Sequence, residues 1–527
     1  MKQNLLTNTR VQILTLAGVI LLLYLRTLSF DFIGLDEQSL LEDKREFNKD
    51  LSSIPKAFGQ DVFQNGNMPR ATASKKYYRP GLTVSFILDE QFSKGGFSFY
   101  RFTNILIHLL ATIGLLLVLQ QMKVPQALAF FFSLLFAVHP LLVQSVAWIP
   151  GRNDSLVCAF ILWSFYFLMK KGPKNIILHF LFFACALFTK ENAIVFLPIC
   201  GYYILLIQKN NFNLKNKLTF FSSYATIALV WYISRSNAIG SGVRSLPFGE
   251  GQGGVLYSSF LKSAPLLFQY FQKTILPVNL SVMSVVNDTN YGWVLLAFAL
   301  FGAAIYFTKE IAWKEIIFGL LWFFLFFLPT LLFSYFEGME HRAYLPMAGL
   351  LIAFAHTEPL VNLAKDAKKL SLIFGSVVLL FAAITFTRVG IFKNELSYWE
   401  SAFYSSKNSA VVCRDYGVIL TKMGESQKAE QAYLEGIKRD PKTILLHYNL
   451  GVLYYKTRNL PQAEAQMLQE LSLDSTGNPL TYHLLGMICK QTGRMDQATA
   501  LWQKALKINP GFEPAKEELR KAVDGRQ

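Results

Sequence analysis

Between Phe97 and Val389, apolar runs follow one another with only short polar interruptions, and this succession limits the fold more than any other feature. An earlier run covers Val11–Phe30; the later ones lie near 97–120, 127–147, 155–170, 175–189, 193–208, 217–234, 293–308, 315–334, 343–361 and 371–389. Roughly twenty apolar residues suffice to cross a bilayer core. There only a helix or a closed barrel satisfies its own backbone groups, and runs of this length without alternation are helical. The expectation is an all-α polytopic membrane bundle of about eleven spans, the first retained because no small-residue cleavage site follows it. Only 16% of the 527 residues are charged and 52% are hydrophobic, whereas a soluble domain carries about a quarter charged.

The net charge of +16 raises the question of nucleic acid. From Glu400 onward stand 17 Lys and Arg against 14 Asp and Glu, so +13 of the excess belongs to the apolar part. Lys2 and Arg10, Lys123, Lys170-Lys171, Lys209 and Lys215, Lys309 and Lys314, and Lys368-Lys369 all fall in alternate loops. By the positive-inside rule those loops are cytoplasmic, so the charge reports topology and implies no nucleic acid. Leu256–Leu276 would break the alternation if it crossed; it reads as a re-entrant or surface-lying helix. The five cysteines form no CxxC pair and read as buried free thiols, with no metal-ligating set.

The ionisable residues collect on the other, outer face. Asp36-Glu37 and Tyr77-Tyr78-Arg79-Pro80 lie in the first outer loop, and His139-Pro140 near the outer end of the third span. Gly151-Arg152-Asn153-Asp154, Thr189-Lys190-Glu191-Asn192 and Glu340-His341-Arg342-Ala343-Tyr344 occupy later outer turns. Ionisable residues at span ends facing one compartment mark a site. Each also has a plainer reading: Arg152 and Lys190 as snorkelling side chains, His139 as the partner of a helix end broken by proline. His108, inside the second span, reads as a satisfied bundle histidine, and Trp148 as part of the aromatic belt.

After about Cys413 the periodicity becomes that of paired helices. Gly417, Gly451 and Gly486 recur at spacings of 34 and 35, the tetratricopeptide (TPR) period. Aromatic and alanine positions follow suit, and Glu513–Val523 reads as a capping helix. Glu470 and Ser475 stand where Ala and Pro are usual, a departure expected to weaken that turn. The domains expected are therefore 1–395, a membrane unit, and 396–527, a TPR α-solenoid of about three repeats whose groove suits a peptide or protein. Gly249–Gly254 satisfies GxGxxG but follows no strand, so it carries no nucleotide; Ile239–Gly254 reads as a lid. No Walker sequence appears, and an activated donor on the outer face would be carried by lipid.

These parts suit one chemistry. A hydroxyl acceptor needs a general base, which one of Asp36 and Glu37 can supply. A lipid-phosphate leaving group needs positive charge, which Arg79, Arg152, Lys190 and Arg342 can provide. Two adjacent acids also split in pKa or share a cation.

The ordered set of motifs resembles the GT-C membrane glycosyltransferases, and most closely the transmembrane-and-TPR O-mannosyltransferase-like proteins. It comprises Asp36-Glu37, Tyr78-Arg79-Pro80 with Ser85-Phe86-Ile87-Leu88-Asp89, Phe136-Ala137-Val138-His139-Pro140, Val146-Ala147-Trp148-Ile149, Gly151-Arg152-Asn153-Asp154, Thr189-Lys190-Glu191, Arg342-Ala343-Tyr344-Leu345-Pro346 and the repeats. The resemblance implies inverting transfer of mannose or another hexose from a polyprenyl- or dolichyl-phosphate sugar to a hydroxyl, with protein Ser/Thr as the expected acceptor. It assigns the base to Asp36 with Glu37 beside it, and the lipid phosphate to basic residues such as Arg79 and Arg342. His139, Arg152, Asp154, Lys190, Glu191, His341 and Tyr344 complete the donor- and substrate-binding set. Metal dependence stays open, because the superfamily contains both kinds; a divalent cation such as Mg or Mn would sit at Asp36/Glu37. Gln144 stands where this pattern often has Glu, and His341 precedes Arg342 where Glu is common. The compartment implied is a bacterial inner membrane or the ER membrane, with the site and the repeats on the periplasmic or lumenal side. Two other classes compete: an inactive membrane-anchored TPR scaffold, and a lipid or solute transporter or flippase. A transporter would place its charges at mid-membrane rather than at the rim.

Overall fold

A computed structural model of the chain describes residues 6–64, 77–170, 172–208, 214–239, 253–308, 312–332, 337–473 and 477–524. The proposed lid falls almost wholly outside them. The chain divides into two compact units, Met1–Tyr398 and Trp399–Gln527.

In the first unit every apolar run is helical, from Thr9–Tyr24 and Ser98–Gln121 to Trp313–Leu332, Tyr344–Ala355 and Ala367–Val389. Among the described residues the only strands are a two-residue antiparallel pair, Ser284 opposite Gly338 and Val285 opposite Glu337. The all-helical expectation therefore holds, but the number of crossings does not follow from it. Among the described residues, four helices are able to span by length and composition: Thr9–Ser29, Ser98–Gln121, Trp313–Leu332 and Ala367–Phe392. The pair Gln126–Val138 and Pro140–Ala147, bent by 46°, makes a fifth if it is one broken span. Pro173–Thr189, Glu191–Ile207 and Tyr291–Tyr306 are apolar but shorter. The eleven crossings read from hydropathy exceed this set because proline breaks and polar helix starts shorten several runs. All of Leu256–Leu276 but its last residue lies on one helix, Gly253–Ile275, with Pro265 inside it.

His139-Pro140 shows how such a break is stabilised. Pro140 contributes no N–H, and His139 Nδ1 accepts a bond from Leu141 N (3.2 Å) while its Nε2 bonds Thr274 O (3.1 Å). The following strap, Pro140–Gly151, is held by the second long helix. Arg101 donates to Ala147 O (2.6 Å), and Asn104 to Val146 O and Trp148 O (both 3.1 Å). His108 donates from Nε2 to Ala137 O (3.0 Å) and accepts at Nδ1 from the Tyr344 hydroxyl (2.5 Å), the satisfied bundle histidine expected.

The second unit starts within the helix Glu395–Ser405 and continues, among the described residues, as three helix pairs and a final helix. The pairs are Ala410–Lys422 with Ser426–Arg439, Leu446–Lys456 with Leu460–Leu473, and Pro479–Gln491 with Met495–Ile508; Glu513–Asp524 follows. The recurring glycines sit where partner helices approach closest. A Cβ at Gly486 would lie 2.3 Å from Trp502 Nε1, and one at Gly417 would lie 2.4 Å from Tyr433 Cε1. The turn at Ser475 lies outside the described residues, and Glu470 lies on the helix before it, Leu460–Leu473. Its buried carboxylate accepts from Leu445 N (2.7 Å) and Tyr448 N (3.1 Å), capping the helix Leu446–Lys456 whose first N–H groups have no partner within the helix.

Candidate active site

Asp36 enters through a tight turn. Gly34 and Leu35 both take positive φ (82° and 55°), a region glycine adopts freely and leucine at a cost. The chain then begins a helical turn, on which adjacent residues point about 100° apart. That angle separates the two acids. Asp36 lines a cavity of about 380 Å³, whereas Glu37 is fully buried and its Oε2 accepts from Ile33 N (2.8 Å).

The same cavity brings together Arg79, Asp154, Lys190, Glu191, His341 and Arg342, drawn from four separate stretches of the chain. Arg79 precedes Pro80, which keeps it out of the helix that begins there. Its guanidinium binds Glu191 through two bonds, Nε to Oε2 (3.0 Å) and Nη2 to Oε1 (2.6 Å), and lies 4.6 Å from the Tyr77 ring centre. Asn153, with its amide oxygen turned toward Arg79, accepts from Nη1 (3.0 Å) and donates to Thr189 O (3.1 Å). Lys190 pairs with Asp154 Oδ1 (2.7 Å), and Asp154 Oδ2 lies 3.9 Å from His341 Nε2. The turn carrying His341 is tied down on both sides. Buried Glu340 accepts from Ser281 N (2.7 Å) and pairs with Arg388, and Ser145 Oγ donates to His341 O (3.3 Å).

Three sequence-predicted binding residues stand outside this cavity. His139 is spent on the helix break described above. Arg152 has no exposed surface; it pairs with Asp89 (2.5 Å) and donates to Asn104 Oδ1 (2.7 Å) and Tyr100 O (2.6 Å). Tyr344 is buried against His108. All three hold the bundle together, the role the plainer reading gave His139; for Arg152 the partner is a buried acid rather than the membrane surface. Trp148, read from the sequence as part of the aromatic belt, also lines the cavity, as do Asn153 and Asn192, which were given no role. Their only signal was proximity, since each is next to or within a quoted motif.

Electrostatics separate the acids further. Asp36 is exposed to the cavity; desolvation by the protein around it raises its carboxyl above the usual value, with Arg79 opposing. Burial raises Glu37 to about 7, against the pull of Arg101 and of backbone N–H groups. Burial pushes His341 down to about 3; Asp154 opposes this, while Arg342, Lys190 and Arg79 add to it, so the imidazole is neutral at physiological pH. Among the described residues no group of three or more His, Cys, Asp or Glu side chains is placed to hold a metal ion.

Fold and site together define a helical membrane protein with a charged cavity in its apolar unit and a repeat array after it. The model of the tetratricopeptide repeat family matches residues 415–443 and 480–512, the first and third helix pairs. The particular likeness is to the transmembrane-and-TPR O-mannosyltransferases. The chain is 24% identical to Protein O-mannosyl-transferase TMTC3 of Homo sapiens, over 96% of its own length and 61% of that protein's. It is 26% identical to Protein O-mannosyl-transferase F38B6.6 of Caenorhabditis elegans, over 81% of its length and 63% of that protein's. These relatives bear out the resemblance read from the motifs, and the chain spans about three fifths of their length. Among solved structures, the first TPR of Spaghetti (RPAP3) bound to an HSP90 peptide is 22% identical, covering 23% of this chain and 94% of that one, at a TM-score of 0.22.

Proposed function

We propose that this chain transfers a hexose, mannose by its likeness to the named O-mannosyltransferases, from a polyprenyl-phosphate-linked donor to a protein hydroxyl on the non-cytoplasmic side of a membrane. The observation that carries the reading is the convergence of Asp36 with Arg79, Lys190 and Arg342 on one cavity. The acceptor oxygen attacks the anomeric carbon from the face opposite the phosphate. The bond from that carbon to the phosphate oxygen breaks, the phosphate keeps the electron pair, and Asp36 takes the hydroxyl proton. Inversion follows from the single displacement. Arg79 and Lys190, each fixed by its own acid, and Arg342 stabilise the charge growing on the phosphate. A carboxylate open to the cavity whose pKa is raised above the usual value is a stronger base than an ordinary one.

The two adjacent acids are a poor cradle for a divalent cation, because only Asp36 lines the cavity and Ile33 N–H occupies a Glu37 oxygen. No step is therefore assigned to a metal. The eleven-span GT-C arrangement belongs to the same proposal, with the shorter, bent and less apolar helices also crossing. The TPR unit is assigned to holding the acceptor chain, by the general use of such grooves.

The test is transfer of radiolabelled mannose from polyprenyl-phosphate mannose to a Ser/Thr peptide by the purified chain, with glycan mass spectrometry on cells with and without it. Labelled peptide and a missing hexose on Ser/Thr support the reading. Unchanged glycans with intact partner recruitment would favour a scaffold, and lipid movement without transfer a flippase.

A further inference from the structure

Four side chains lining the cavity each hold a polar atom that is shut off from bulk solvent and has no hydrogen-bond partner: Trp148 Nε1, Asp154 Oδ2, Asn192 Oδ1 and His341 Nδ1. Trp148 and Asp154 are 4% and 2% exposed. Three of them are contiguous. The Trp148 and His341 rings lie 5.5 Å apart, and His341 Nε2 is 3.9 Å from the unpaired Asp154 oxygen. Asn192 arrives on the turn that begins with Lys190, the partner of the other Asp154 oxygen. Leaving a buried polar atom unpaired costs about 1–3 kcal/mol, and native proteins leave few such atoms without a bound group to satisfy them.

We propose that these four residues form the sugar-recognising side of the cavity, reading the hydroxyls of a neutral hexose; the proposal rests on the transferase reading above. The polarity of the atoms decides between ligands. Asp154 Oδ2 and Asn192 Oδ1 only accept hydrogen bonds, Trp148 Nε1 only donates, and a neutral imidazole nitrogen does either. A phosphate presents acceptors alone and would leave Asp154 and Asn192 unpaired. Vicinal hydroxyls both donate and accept, so their polarity matches all four. Phosphate is left to the cations Arg79 and Arg342, and the cavity divides into an anionic-ligand side and a polyol side. A site built this way discriminates strongly against a ligand lacking the hydroxyl, because the protein's own buried atoms are then stranded.

The experiment measures binding of polyprenyl phosphate and of polyprenyl-phosphate mannose to the full detergent-solubilised chain and to Trp148→Phe and Asn192→Leu. Trp148→Phe removes the indole N–H and keeps an aromatic ring, and Asn192→Leu removes the side-chain amide at nearly constant size. The expected result is an affinity for polyprenyl-phosphate mannose about tenfold weaker in each variant, with polyprenyl phosphate bound within about twofold of wild type. Retained binding of the sugar-free lipid also shows that the variant is folded. Equal losses for both lipids, or no loss for either, overturn the sugar subsite and leave the transferase reading standing. A wild-type chain that binds neither lipid overturns the transferase reading and this proposal with it.

Discussion

The side-chain oxygen of Gln144 accepts a hydrogen bond from the backbone N–H of His341 at 3.1 Å, across 197 positions of the chain. These are the two positions at which the sequence departs from the motif pattern it resembles, and they touch. At the first of them a neutral glutamine amide holds the backbone of the second, whose imidazole ring faces Trp148 instead. Gln144→Leu strands the His341 N–H and should lower stability by about 1–3 kcal/mol. Gln144→Glu should cost less, because a carboxylate still accepts the bond. Thermal unfolding in detergent separates the two; equal losses would mean that the hydrogen bond is not what holds the turn.

Asp36→Asn removes the proposed base and keeps its shape. Turnover should fall by about 10²–10⁴-fold, while affinity for the lipid donor stays near wild type. In the wild type the base must be ionised, and desolvation raises its pKa. Activity should therefore rise with pH along a limb centred above the ordinary carboxylate value. A limb at or below that value would show that Asp36 is not the titrating group.

Glu37 makes a prediction about stability. Burial raises its carboxyl from 4.5 to about 7, so the folded chain holds a proton that the unfolded chain has lost in that interval. Stability from this group is therefore full below about pH 4.5 and declines as pH rises to about 7. Glu37→Gln should flatten this decline in melting temperature. A variant whose melting temperature tracks wild type across the interval counts against the assignment.

Arg152 tests the division between cavity and scaffold. Arg152→Ala leaves Asp89 as an uncompensated buried acid and should destabilise by about 3–5 kcal/mol. Adding Asp89→Leu should recover part of that loss. If instead the single variant melts normally and loses only donor affinity, Arg152 belongs with the phosphate ligands after all.

In the repeat unit, Glu470→Ala removes an acceptor shared by two backbone amides. Local stability should drop by about 1–2 kcal/mol, read as faster hydrogen exchange at Leu445 and Tyr448. Unchanged protection would mean that the cap is dispensable.

Much of the architecture was readable in one dimension. The helical repeats were, because a close glycine contact with an aromatic side chain recurs at a fixed interval and leaves its imprint in spacing. Seven of the proposed site residues reached a common cavity because charge is costly near lipid and survives only where it serves a purpose. Asp36 and Glu37, by contrast, read as a matched pair and are not one. Two positive-φ residues and the start of a helical turn aim them apart.

The sequence by itself determined that this chain is helical, membrane-bound and repeat-terminated, since hydropathy and period are local properties that neighbours along the chain must share. Only the tertiary structure decided which polar residues face the cavity and which brace it. Arg79 and Arg152 look alike in their motifs, yet one pairs at the cavity wall with Glu191 and the other is sealed against Asp89. That difference lies in partners 112 and 63 positions away, set by how helices pack, and no short-range pattern encodes it.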